Sequence, residues 1–180
     1  MTSFTRHNNW SVECEDILNK QINVEIYASL QYQSISAYFK RDYIGLTEIA
    51  KFFDKASLEE REHAQIMIEY QNKRGGRVIF TEKKDFHFDY DFKEGDNKEV
   101  LTAFKKALEM EQGVYQHLLL VHKSADDDPQ FADFIEGTFL SEQIDALYEL
   151  GVYISQLRRI GCDGHGIWEF NNNLNKTEEV

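Results

Sequence analysis

Glu59-Glu60-Arg61-Glu62-His63 sets a carboxylate, Glu60, and an imidazole, His63, three residues apart on the apolar stripe of a long helical segment. Counting from Phe53, the positions Phe53, Ala56, Glu60, His63, Met67 and Tyr70 follow a 3,4,3,4,3 spacing, the seam by which a helix meets its partners in a bundle. Three other segments carry the same kind of seam: Leu18, Ile22, Glu25, Ser29, Tyr32; Leu101, Phe104, Leu108, Glu111, Tyr115, Leu118; and Phe139, Gln143, Ala146, Leu150, Tyr153, Leu157. Glu25, Glu111 and Gln143 each stand mid-seam. A buried carboxylate without a partner is costly and normally takes a proton instead. Three acids, a His and a Gln aimed inward therefore call for positive charge, and no Lys or Arg interrupts the seams. A bound cation is the simplest source, and two suit the number of ligands better than one.

Working outward from these seams, the chain divides into helical segments at about 11–39, 46–74, 98–123, 128–160 and 166–175, within one domain covering 1–180. Ser11-Val12-Glu13-Cys14-Glu15 places acids in a first turn, where they complement the helix dipole. The short link from Lys40 to Gly45 makes the second segment an antiparallel neighbour of the first, and Gly75-Gly76 supplies a stop. Asp128-Pro129 opens the fourth segment as N-cap and first helical residue. Ile167, Phe170 and Leu174 give the fifth, short segment its apolar face.

The stretch 77–96 is too long for a tight turn. A helix of about 28 residues is roughly 42 Å long, and about twenty extended residues reach roughly 65 Å, so the connection can span the bundle. Two antiparallel hairpins joined by one long crossover follow, with a β-hairpin in the aromatic stretch Phe86-His87-Phe88-Asp89-Tyr90-Asp91-Phe92 as the competing reading.

Composition sets the outer bounds. A chain of 180 residues, 42% hydrophobic, is long enough for one well-buried domain. A net charge of −12 repels nucleic acid and, concentrated at openings, attracts cations, although a solvated acidic surface produces the same total. Cys14 and Cys162 build no disulfide framework and lack zinc-site spacing, so a reducing compartment fits. The first ten residues are polar, and no stretch approaches the ~18 apolar residues of a membrane span. The expectation is a cytoplasmic protein without membrane or nucleic-acid partners.

Several blocks carry a family likeness. Gln21-Ile22-Asn23-Val24-Glu25-Ile26-Tyr27-Ala28-Ser29, Glu59-Glu60-Arg61-Glu62-His63-Ala64, Gln71-Asn72-Lys73-Arg74-Gly75-Gly76-Arg77, Asp133-Phe134-Ile135-Glu136 and Leu140-Ser141-Glu142-Gln143 together resemble animal ferritin of the heavy-chain type, over nearly the whole chain. The resemblance implies an all-α, ferritin-like four-helix bundle with one long crossover and a short fifth helix. It implies a ferroxidase that oxidises Fe(II) with dioxygen at a site for two irons per subunit, and stores the product as mineral inside a cage of 24 subunits, alone or with other ferritin chains. Glu25, Glu60, His63, Glu111 and Gln143 correspond to the ferroxidase ligands and their partner, and Tyr32 to the tyrosine beside them. Oxygen-rich ligation with one imidazole suits iron, and a bridging carboxylate, here Glu60, can hold two metals ~3.5–4 Å apart.

By the same resemblance Glu59 and Glu62 face the storage cavity as nucleation acids, while Asp133 and Glu136, with His122 nearby, line the three-fold channels by which iron enters. A solvated acidic face and dipole complementarity explain these acids equally well. The chain departs from the family pattern at Gln65, where a third nucleation acid is frequent, and at Ala132, where a cysteine is frequent. Asn171 and Asn175 correspond to a four-fold pore lining and imply a polar, hydrated pore. The loop Phe86 to Asp96 is longer than in vertebrate chains.

Two other functions compete. A di-iron oxygenase or peroxidase normally carries two Glu-x-x-His motifs, but Val114 stands three residues after Glu111 and Ala146 three after Gln143. A purely structural shell subunit has no use for Glu25, Glu60 and His63 together.

Overall fold

The computed structural model describes residues 4–7, 9–82, 92, 98–161 and 164–174. Its elements are α1 (Val12–Phe39), α2 (Thr47–Lys73), α3 (Glu99–Lys123), α4 (Pro129–Ile135), a π-helical turn (Glu136–Leu140), α5 (Ser141–Ile160) and α6 (Gly164–Asn173). No strand occurs among the described residues. The stretch of the competing β-hairpin reading and the long loop 86–96 lie, apart from Phe92, outside them.

Side chains close the helix ends. Ser11 Oγ accepts from Cys14 N at 3.0 Å to start α1, and Asp128 Oδ1 accepts from Phe131 N at 3.1 Å, with Pro129 at the first position of α4, each satisfying a donor the helix itself cannot. Asp128 also forms an ion pair with Arg74, whose guanidinium lies over the Trp10 ring at 4.6 Å, tying α2 and α4 to the N-terminal segment. Gly75, at φ +74°, turns the chain out of α2 in a conformation that only glycine adopts freely. Helix α2 has Leu46 at its cap position, with no side-chain bond there. Asn171 on α6 supplies one: its Oδ1 accepts from Glu48 N at 3.2 Å and Ile49 N at 3.1 Å. This corrects the sequence expectation of a hydrated pore-lining residue, because Asn171 is buried and its carbonyl oxygen is bonded within the subunit. Asn175 lies outside the described residues.

The described start of the crossover runs along α1, held by a ladder of side-chain amides. Asn19 donates to Arg77 O and accepts from Ile79 N, both at 2.9 Å; Asn23 donates to Ile79 O and accepts from Thr81 N, both at 2.9 Å; the Tyr27 hydroxyl donates to Thr81 O. With a period of four residues on the helix and two on the extended chain, the amides replace the neighbour that a strand would otherwise need. Farther on, Phe92 packs edge-on against Tyr38 near the other end of α1, so the crossover reaches that end. Helix α3 then starts beside α2, with Phe104 stacked on Phe52 at 5.2 Å.

The fourth segment, expected as one helix over 128–160, is interrupted by the π turn. Its buried positions Phe131, Ile135, Phe139 and Gln143 are spaced 4,4,4, which on an uninterrupted α-helix of 3.6 residues per turn drifts by about 120°. The wider π turn absorbs that drift and keeps all four on the inner face. Among the described residues the interior gathers into two apolar clusters. One gathers Trp10, Leu18, Ile22, Met67, Leu118 and Phe131 at one end of the bundle; the other gathers Ile35, Phe39, Phe53, Phe104, Leu157 and Phe170 at the opposite end. The mid-seam polar residues lie between the two.

Candidate metal centre

Glu25 comes from the middle of α1, Glu60 and His63 from α2, Glu111 from α3 and Gln143 from α5. Each occupies a seam position, so α1, α3 and α5 direct one polar side chain apiece, and α2 two, into the layer between the apolar clusters. Glu25 is fully buried, and Glu60, Glu111 and Gln143 are nearly so. Reciprocal bonds fix the spacing of α1 and α2 beside this layer: Ser29 Oγ donates to Ser57 O at 2.7 Å and Ser57 Oγ to Ser29 O at 2.8 Å.

Glu25, Glu60 and His63 each offer one ligand atom within 4.8 Å of the other two. His63 Nδ1 lies 3.7 Å from Glu60 Oε2. On the other side, Glu111 accepts through its two oxygens from the Tyr32 hydroxyl and from Gln143 Nε2. Tyr32, Glu60, His63, Glu111 and Gln143 line a cavity of about 120 Å³, room for ions together with water. Glu59, exposed on α2, stands at the edge of the same cavity beside Lys55, 3.8 Å away.

The electrostatics of this layer are unbalanced. Burial, and then the charge of Glu60, raise the Glu25 carboxyl well above its usual range; burial, and then Glu111, do the same to Glu60. Burial and the charge of Glu111 also push the Tyr32 phenol up, which keeps its proton on oxygen. Glu25 Oε2 and Glu60 Oε2 are buried with no hydrogen-bond partner. Hard oxygen donors facing a small cavity, joined by one imidazole, fit a divalent first-row cation, which would lower both carboxyl pKa values and occupy both orphaned oxygens.

Three contributors were missed in the sequence. Glu142 Oε1 lies 3.3 Å from His63 Nε2, the ring nitrogen turned away from Glu60. Gln21 Nε2 donates to Glu25 Oε1 at 2.5 Å, and Gln21 Oε1 meets His117 Nδ1. The four-residue spacing of Gln21 and Glu25 was a usable signal, since such pairs face each other on a helix; nothing in the sequence pairs His117 with Gln21. The remaining candidates lie apart from the cavity. Glu62 is exposed on α2, where Gln65 donates to Glu69 at 3.2 Å rather than adding an acid. Asp133 is exposed on α4, and Glu136, on the π turn, lies 2.7 Å from His122 Nε2.

Residues 15–160 match the family model described as a ferritin-like domain. The chain belongs to the ferritin family. It is 47% identical over 169 residues to a chloroplastic ferritin of Malus baccata var. xiaojinensis and 47% identical over 175 residues to the chloroplastic ferritin-3 of Arabidopsis thaliana. These alignments take in 92% and 96% of this chain and 66% of each relative, so the chain spans just under two thirds of the length of these two ferritins. The chloroplastic ferritin-1 of Pisum sativum is 43% identical over 97% of this chain and 68% of its own length. These relatives are plant ferritins, so the likeness holds at the level of the ferritin family and not of the animal heavy-chain type. They also correct the compartment: their names place them in the chloroplast, against the cytoplasmic expectation drawn from composition and cysteine count.

Proposed function

We propose that this ferritin chain stores iron, as a subunit of a 24-subunit cage that oxidises Fe(II) with dioxygen in the cavity that α2 and α5 line together with Tyr32 of α1 and Glu111 of α3. The observation that carries the reading is the pair of buried, unpartnered oxygens, Glu25 Oε2 and Glu60 Oε2, beside the His63 ring. Glu25 and His63 hold the first ferrous ion, Glu111 the second, and Glu60, whose carboxyl feels both Glu25 and Glu111, bridges them. Two ferrous ions so held can each give one electron to the same dioxygen molecule. Tyr32 and Gln143 both bond Glu111 and fix its carboxylate plane, and Gln143, being neutral, adds no charge to bind the product more tightly.

Of the carboxylates that α3 and α5 place on the cavity lining, Glu111, Glu142 and Glu149, only Glu111 is buried, and neither helix adds an imidazole there. Such sparse ligation favours release of Fe(III) over retention, which suits a storage protein and not an oxygenase. Asp133, Glu136 and His122 supply a negative path for iron to enter, and Glu59 and Glu62 carry it onward for mineral growth. Following the relatives' names, we assign the chain to a plastid.

Replacing Glu60 by Ala and His63 by Gly tests the reading. Removing both together leaves no lone charge behind in the core, so the cage should still elute at its parent size. Aerobic Fe(II) oxidation should fall by more than the roughly 10–100-fold that outer partners of a metal site are worth. Oxidation at the parent rate would place the reaction elsewhere.

A further inference from the structure

Glu25 has one oxygen engaged and one open. Gln21 Nε2 donates to Oε1 at 2.5 Å, and Oε2 has no hydrogen-bond partner. Gln21 is itself fully buried on α1, and its other amide atom, Oε1, meets Nδ1 of His117 on α3. A buried amide can turn end for end at little steric cost, because its oxygen and nitrogen are nearly the same size. What selects one orientation is the pair of groups at its two ends. Turned over, Gln21 would set its carbonyl oxygen against the Glu25 carboxylate and withdraw the donor from it. The N–H of His117 at Nδ1 favours the observed orientation, since a donor there needs the Gln21 oxygen. Burial, and then the charge of Lys20, lower the His117 pKa below its usual 6.5, so near neutral pH the ring is uncharged and has a single N–H to place.

We propose that His117 and Gln21 are positioning residues for the metal centre, a hydrogen-bonded line from α3 through α1 that ties Glu25 Oε1 and leaves Oε2 alone to face the metal. Neither touches the metal. Gln21 would hold the carboxylate as a single-oxygen ligand, and His117 would hold Gln21. Outer partners of this kind orient the ligands of metal sites and raise affinity by restricting the geometries they sample. The inference rests on the proposed metal centre, and its test separates the two.

The probe is Co(II), a redox-inert stand-in for Fe(II) under these conditions whose visible spectrum reports coordination number and geometry. It is titrated into the assembled protein without oxygen turnover. The cavity component is the part of the signal absent from the Glu60→Ala, His63→Gly double variant. In Gln21→Leu and in His117→Leu that component should bind about tenfold more weakly, the lower end for an outer partner. Its spectrum should also shift as Glu25 becomes free to chelate through both oxygens. His117→Asn puts an amide nitrogen near the place of Nδ1 and should restore parent affinity and spectrum, which a merely space-filling role for His117 does not explain. His117→Phe, which keeps the ring shape without the N–H, replaces His117→Leu if the latter does not assemble, and should behave like it. Parent affinity and spectrum in the variants lacking the N–H overturn the role of His117, and the same result in Gln21→Leu overturns the whole line. A parent protein with no Co(II) component sensitive to Glu60 and His63 would instead overturn the metal centre itself.

Discussion

Glu60 lies between Glu25 on α1 and Glu111 on α3, and in the metal-free protein burial, and then the charge of Glu111, hold its carboxyl well above the ordinary carboxylate value of 4.5, outweighing the opposite pull of Glu25. Between that value and the raised one the folded protein binds more protons than the unfolded chain, so stability falls as pH rises through this window. The stabilisation from these protonated carboxyls is fully present below pH 4.5 and is lost as pH climbs through the folded value. Glu60→Gln removes one titrating group while keeping its shape. In metal-free protein it should raise the melting temperature at pH 7–8 by a few degrees, at ~2–4 °C per kcal/mol for a chain of this size, and the gain should shrink towards pH 5. Calorimetry across that range checks it, and a gain that does not change with pH would count against the buried-acid account. The seam spacing was enough to choose Glu25, Glu60, His63, Glu111 and Gln143, because a 3,4 repeat fixes which residues look inward. It could not supply Gln21–His117 or His63–Glu142, since a contact between helices depends on their relative height and rotation, which no single helix encodes.

At the scale of elements, the starts of α1 and α4 were legible because Ser11 and Asp128-Pro129 act on the backbone next to them. The start of α2 was not, because its cap arrives from α6, more than a hundred residues away in sequence. Asn171 therefore couples docking of the short C-terminal helix to the integrity of α2. Asn171→Leu should leave the amides of Glu48 and Ile49 without that acceptor and destabilise the subunit by about 1 kcal/mol, within the 0.5–2 kcal/mol measured for lost caps. Thermal or chemical denaturation reads this directly; a variant as stable as the parent would mean that water replaces the amide at no loss. The π turn was illegible for a related reason. Its signal is the 4,4,4 spacing of Phe131, Ile135, Phe139 and Gln143, which becomes visible only once Phe131 and Ile135 are known to face inward along with the seam that starts at Phe139. The asparagine ladder under residues 77–81 was likewise hidden, although its four-residue period on α1 is plain in the sequence.

At the scale of the whole molecule, two apolar clusters provide the burial that holds the bundle together, and the layer between them holds the proposed metal centre. A polar layer of this kind is destabilising in the absence of cations, yet the surrounding aromatic and aliphatic packing is extensive enough to contain it: Phe53, Phe104, Phe131 and Phe139 are all buried on either side. The compartment is the property that the chain's composition misjudged, since charge and cysteine content describe the folded surface and say nothing of the address of a protein. The centre itself is most directly examined by crystals soaked in Fe(II) without oxygen and measured at the iron absorption edge. Two anomalous peaks about 3.5–4 Å apart are expected, one among Glu25, Glu60 and His63 and the other between Glu60 and Glu111. A cavity with no anomalous density, while iron is found at Asp133 or Glu136 in the same crystals, would contradict the proposed centre.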